Sequence, residues 1–202
     1  MNRKEFLNNA GKFCAGSCVC ALMGSLNIVN AQHNNSSEAP KTEKPRAEVI
    51  MEFAEKWVKR FFDVLDSTLD AETRKKIMMA NGKICFQKYL EETGQKIQPI
   101  TLEQHTLWVN NNVKDGYTRV EGNVIYFRFT SAAETGLPAN EGACLCSFVE
   151  SKPEGLSSTY CLCSVGYVKE WYEQLLGCPV EVELLSSALR GDKWCEFKIT
   201  VS

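Results

Sequence analysis

"CLCSVGYVKEWYEQLLGCPVEVELLSSALRGDKWCEFKITV", residues 161–201, carries two hydrophobic periods in succession. Up to Leu176 the apolar residues Val165, Val168, Trp171, Tyr172 and Leu175 fall three and four apart, which predicts one stripe of an amphipathic helix. Ser157 to Thr159 offer caps before it. Gly177 supplies a left-handed stop after it, and Pro179 forbids continuation. Beyond the stop the period drops to two. Cys195, Phe197, Ile199 and Val201 share one strand face, while Trp194, Glu196, Lys198 and Thr200 share the other, so 180–201 reads as a β-hairpin. Arg190-Gly191-Asp192 falls where that hairpin must turn, and is read as a turn rather than as an adhesion tripeptide.

Working outward, "GYTRVEGNVIYFRF" alternates about Gly122-Asn123 and predicts an earlier hairpin, with "ACLCSFV" at 143–149 as a further strand. Upstream the period is helical. Ile50, Phe53, Trp57, Phe61, Leu65 and Leu69 give a helix over 48–66 whose aromatic face is read as core packing. Asp70 and Glu72 open a second helix, expected to bury Ile77, Ile84 and Cys85 and to stop near Gly94. Thr101 caps a short third helix through Val109, with His105 on the face of Leu102, Trp108 and Val109. Helices first, antiparallel strands later and one helix before the last strands make this an α+β chain: N-terminal helices packed on a twisted antiparallel sheet.

The chain has 202 residues, 24% charged and 44% hydrophobic, an ordinary globular balance, and a formal net charge of -2 with both signs interleaved. That leaves no basic footprint for nucleic acid. Residues 1–31 place Arg3 and Lys4 first, then a weakly apolar stretch broken by Lys12, then a small-residue ending at Ala31. This order reads as an export signal of twin-arginine type, leading to the periplasm or outside the cell, and the run is too short for a stable transmembrane anchor. Cys18 or Cys20 leaves lipid anchoring open. Residues 32–47 are polar and proline-containing, as in a linker, so the single globular domain is 48–202.

The segment "YCLCSVGYVKEWYEQLLGCPVEVELLSSALRGDKWCEFKI" resembles the C-terminal half of 4-vinyl reductase-type domains, in a bacterial branch near the L-2-amino-thiazoline-4-carboxylic acid hydrolase-like proteins. "DAETRKKIMMANGKIC" is similar to the same branch, although Asn81, Gly82, Lys83 and Cys85 stand where the branch tends to carry Cys-Gly-Arg-x-Cys. The resemblance implies a fold shared with haem-NO-binding and vesicle-tethering domains, with an apolar small-molecule cavity. It implies no reaction.

Seven of the ten cysteines fall in the domain: Cys85, Cys144, Cys146, Cys161, Cys163, Cys178 and Cys195. Same-face positions on a strand are roughly 6.6 Å apart, whereas two thiolates on one zinc lie within about 3.8 Å. An extended CxC pair therefore chelates poorly alone, but Cys144, Cys146, Cys161 and Cys163 brought face to face could hold zinc or iron. Bridges of the Cys144 to Cys163 kind are the alternative, and for Cys85 and Cys195 the reading is small buried hydrophobes.

Three functions follow from the sequence. One is an exported binding module that holds a small apolar or metal-linked ligand, with His105, Trp108 and Trp171 as ligand contacts and aromatic lining from Trp57, Phe61 and Phe127. Another is a thiol- or metal-dependent hydrolase or reductase of a small heterocycle, which requires Cys161 beside His105 or an open metal position. The third is a disulfide-stapled structural domain. A homodimer stays open.

Overall fold

The computed structural model describes residues 45–112, 117–129 and 155–202. Among them the order is α1 (Arg46–Thr68), α2 (Ala71–Thr93), α3 (Leu102–Asn111), β1 (Thr118–Glu121), β2 (Val124–Arg128), a 3-10 turn (Ser158–Cys161), α4 (Leu162–Leu176), β3 (Val180–Ser186), a second 3-10 turn (Ala188–Arg190) and β4 (Glu196–Val201). The chain is thus α+β. The four strands of the described residues form one antiparallel sheet in the order β1-β2-β4-β3. "ACLCSFV" lies outside the described residues, as do the signal-like stretch and most of the linker-like one; α1 begins at Arg46, inside the latter.

Local chemistry sets the boundaries. Asp70 caps α2, its carboxylate accepting from the Thr73 N–H at 2.9 Å, and Gly94 ends the helix at φ 64. Thr101 and Gln104 form a reciprocal capping box on α3. Gly177, at φ 66, closes α4 as its position predicted. Gly191, at φ 97, turns the chain after the second 3-10 turn, which is the conformation the Arg-Gly-Asp stretch adopts.

The sheet is two-faced because its strands alternate. Ile125 and Phe127 of β2 stand opposite Ile199 and Phe197 of β4, and Val182 of β3 flanks Ile199 on the other side. Onto this apolar face α4 lays Val165, Val168, Tyr172 and Leu176, and the two sets form the main core. Each such side chain taken fully from water stabilises by about 1.5–3 kcal/mol. Met79, Leu102, Cys178 and Cys195 pack against its margin. On the opposite face Arg119 covers the Tyr126 ring, and Arg128 lies over Tyr117 and Trp194.

The next layer is α2, crossing α4. A methyl group built on Gly82 would stand 1.9 Å from the Cys163 carbonyl oxygen, and one on Gly166 would stand 2.0 Å from that of Met79. The two backbones approach this closely because each helix offers a glycine to the other. Two expectations about burial fail here. Ile77 and Ile84 are exposed, since α2 turns Met78, Gly82, Phe86 and Tyr89 inward instead. The aromatic face of α1 is also outside the core: Phe53 is 60% exposed, Trp57 50% and Phe61 42%, and Phe62 is the buried residue of that helix. Phe62 joins Met78 and Leu156 in a small second core.

Candidate functional site

The N-terminal end of α4 is where several elements converge. Ser157 caps the 3-10 turn, and the Thr159 hydroxyl donates to the Asp66 carboxylate at 2.7 Å. Arg74 holds the same carboxylate from α2 at 3.3 Å. Hydrogen bonds from Ser157 and then Thr159, with Arg74 beside them, hold the Asp66 carboxyl below its usual range despite partial burial. This knot ties α1, α2 and the turn together and fixes the position of Thr159.

Beside it opens a groove of about 320 Å³, lined by Lys75, Ser158, Thr159, Leu162, Val165, Val182, Glu183, Leu184 and Arg190. Its floor is aliphatic and comes from one turn of α4 and one stretch of β3. Its polar lining is cationic on balance, with Lys75 and Arg190 against Glu183. Its volume lies at the small end of the range for ligand sites.

The expected cysteine site divides. Cys144 and Cys146 lie outside the described residues. Cys161 is buried with its Sγ 3.1 Å from the Ser187 Oγ, whereas the Cys163 Sγ accepts from Asn81 Nδ2 at 3.4 Å. The pair sits at a helix start, not on a strand, and two residues along a helix point to well-separated directions. A metal using both sulfurs would have to draw one of them from its present partner. Among the described residues, no three His, Cys, Asp or Glu side chains converge to hold a metal ion.

His105, Trp108 and Trp171 are brought into one aromatic cluster. The His105 ring lies 6.2 Å from Trp108 and 5.8 Å from Tyr172, and Trp171 lies 5.2 Å from Phe127. His105 is buried, which lowers its pKa, so the ring is neutral near pH 7. Its Nδ1 has no hydrogen-bond partner among the described residues. These rings pack toward the far end of α4 from the groove. Tyr172 lies eleven residues beyond Cys161, roughly 16 Å along the helix. The Cys161–His105 contact that a thiol hydrolase needs is therefore not formed. Trp57 and Phe61 belong to neither place: they stack on each other, 5.5 Å apart, on the exposed face of α1.

Sequence reading missed a buried carboxylate. Glu170, on the α4 face toward α2, pairs with Lys83 at 3.0 Å and accepts from Gln87 at 3.1 Å and Gln174 at 3.0 Å. Burial pushes its carboxyl up, but those partners outweigh burial and leave it below the usual carboxylate value. The only signal was a charge placed four residues before Gln174, beside the charged Lys169 and Glu173 of the same helix.

Fold and groove together define a small α+β domain with an amphiphilic cleft at a helix start. By sequence the chain belongs to a family of unknown function, DUF6144, which it matches over residues 27–202. No curated protein matches it. Among solved structures, that of a vinyl-4-reductase family protein from Methanocaldococcus jannaschii is similar over 80% of this chain and 85% of that one, at 12% identity and a TM-score of 0.29. At this TM-score the likeness transfers neither residue nor ligand.

Proposed function

We propose that this chain is a small-molecule-binding domain and that its site is the groove between the start of α4 and β3. The observation that carries the reading is the lining itself: Leu162, Val165, Val182 and Leu184 form an apolar bed, with Lys75, Arg190, Ser158 and Thr159 around it. A few polar groups around an apolar bed are what fix a small ligand's orientation. The knot at Asp66 supports it further by holding the hydroxyl side of the groove rigid.

The test is a thermal-shift panel of small organic molecules on the protein as purified, run beside the groove-filling variants Leu162→Trp and Leu184→Trp. A compound that binds the native state raises the melting temperature by an amount that grows with the logarithm of its concentration over its dissociation constant. Compounds that stabilise the parent chain and lose their effect in both variants support the site. A panel with no stabilising compound, or one whose shifts survive both fillings, ends the reading. The basic, apolar and small-residue order of residues 1–31 supports export of this domain. N-terminal sequencing of the mature protein checks it, and an intact Met1 would refute it.

A further inference from the structure

We propose that the groove's ligand is an anionic amphiphile, a short apolar chain or ring bearing one carboxylate or phosphate. This rests on the groove being the binding site and narrows what enters it.

The charge balance of the lining carries the inference. Lys75 projects from an exposed position on α2 and forms no ion pair among the described residues. Arg190 donates through Nη2 to the Leu185 carbonyl at 3.3 Å and approaches Asp192 only at 4.0 Å, which leaves donors of its guanidinium for a ligand. Glu183, the one acidic residue of the lining, lies 4.0 Å from Lys198, the same distance that separates Arg190 from Asp192. Two cations thus face one carboxylate in the lining. Of the two hydroxyls, that of Ser158 makes no hydrogen bond among the described residues and can donate, whereas the Thr159 proton is committed to Asp66 and offers a ligand no donor. The groove also lies at the start of the 15-residue helix α4, whose dipole favours negative charge there. The apolar lining that remains partly accessible, Leu162 and Leu184, favours an apolar body on the ligand, because a small hydrophilic anion alone would leave that surface in water.

The test uses four eight-carbon probes that differ only in head group: octanoate, octyl phosphate, octanol and octylammonium. Each is titrated calorimetrically into the parent protein, Lys75→Gln, Arg190→Gln and Leu162→Trp. Lys75 and Arg190 are exposed, so both glutamine variants are expected to fold as the parent does. The expected result is that octanoate or octyl phosphate binds at least tenfold tighter than octanol, with octylammonium weakest. Each glutamine variant should then lose about tenfold or more for the anions alone. Whichever anion binds tighter identifies carboxylate or phosphate as the head group. Equal binding of octanol and the anions, abolished by Leu162→Trp, would overturn the anionic class and leave the groove as the site. Anion binding that Leu162→Trp does not weaken would overturn the site itself, and with it this inference. No binding by either anion also overturns the class.

Discussion

Glu170 shows how one side chain can be both buried and charged. Its carboxylate has three donors, one from Lys83 and two from glutamines, so removing the charge strands groups that α2 and α4 otherwise share. Glu170→Gln is expected to cost about 1–3 kcal/mol in urea unfolding at neutral pH. The pH dependence has a definite sign. The folded carboxyl lies below its ordinary value, so as pH falls the unfolded chain binds the proton first. The contribution is complete above the ordinary carboxylate range and is lost as pH drops through the folded value. The gap between parent and Glu170→Gln should therefore narrow in acid; a gap that stays constant to low pH would mean that Glu170 acts through shape alone. His105 runs at a higher pH by the same logic. Burial depresses its pKa, so the folded state resists protonation and stability should fall as pH drops below about 6.5. In His105→Phe that decline should be absent, and its persistence would place the titrating group elsewhere.

At the scale of elements, the crossing of α2 over α4 is the tightest feature. Gly82→Ala gains roughly 1 kcal/mol of helix propensity but drives a methyl into the Cys163 carbonyl, a clash that no side-chain rotation relieves. Overpacking costs of this kind run to about 1–3 kcal/mol and more where backbone must move. We expect the clash to win and the melting temperature to fall; an unchanged or raised value would show that the helices can separate freely. Exposure orders the aromatics in the same way. Phe86 is 1% exposed and Phe86→Ala should cost about 3–5 kcal/mol, whereas Trp57, half exposed and stacked only on Phe61, should cost under about 1 kcal/mol as Trp57→Ala. Comparable losses at both positions would place the α1 face in a packed interior. The element boundaries were legible because caps, glycine stops and the change of period are local signals: Asp70, Thr101, Gly122 and Gly177 each act within a turn. Which stripe of a helix faces inward is not local. In α2 the sequence reading puts Ile77, Ile84 and Cys85 inward, whereas the structure buries Met78, Phe86 and Tyr89, because Gly82 lies among them and lets α4 approach.

For the whole molecule, the same distinction explains why the groove was invisible in the sequence while the sheet was not. The sheet face is written in alternation along β2, β3 and β4, but the groove takes Lys75 from one helix, two residues from a 3-10 turn, two from the start of α4, three from a strand and Arg190 from a second turn. No window of sequence contains it, and Arg190 carried only a turn signal. His105, Trp108 and Trp171 read in the sequence as ligand contacts; in the structure the His105 ring lies against Trp108 and the Trp171 ring against Tyr172. Packing also predicts how the molecule opens. α4, β2, β3 and β4 share one continuous core, and α2 is locked to α4 by two glycine contacts and the Glu170 pair. By contrast α1 buries only Phe62 among its 23 residues and is tied at its C-terminal end through Asp66. Local opening free energy follows buried contact, so native-state hydrogen exchange should rank the amides accordingly. The first half of α1 should exchange through low-energy fraying, its last two turns should be slower, and Val168, Tyr172, Ile125 and Ile199 should exchange only with global unfolding. If the amides from Val49 to Trp57 proved as protected as those of β4, the exposed face of α1 would have to be covered in solution, and Trp57→Ala would then cost as much as a core truncation.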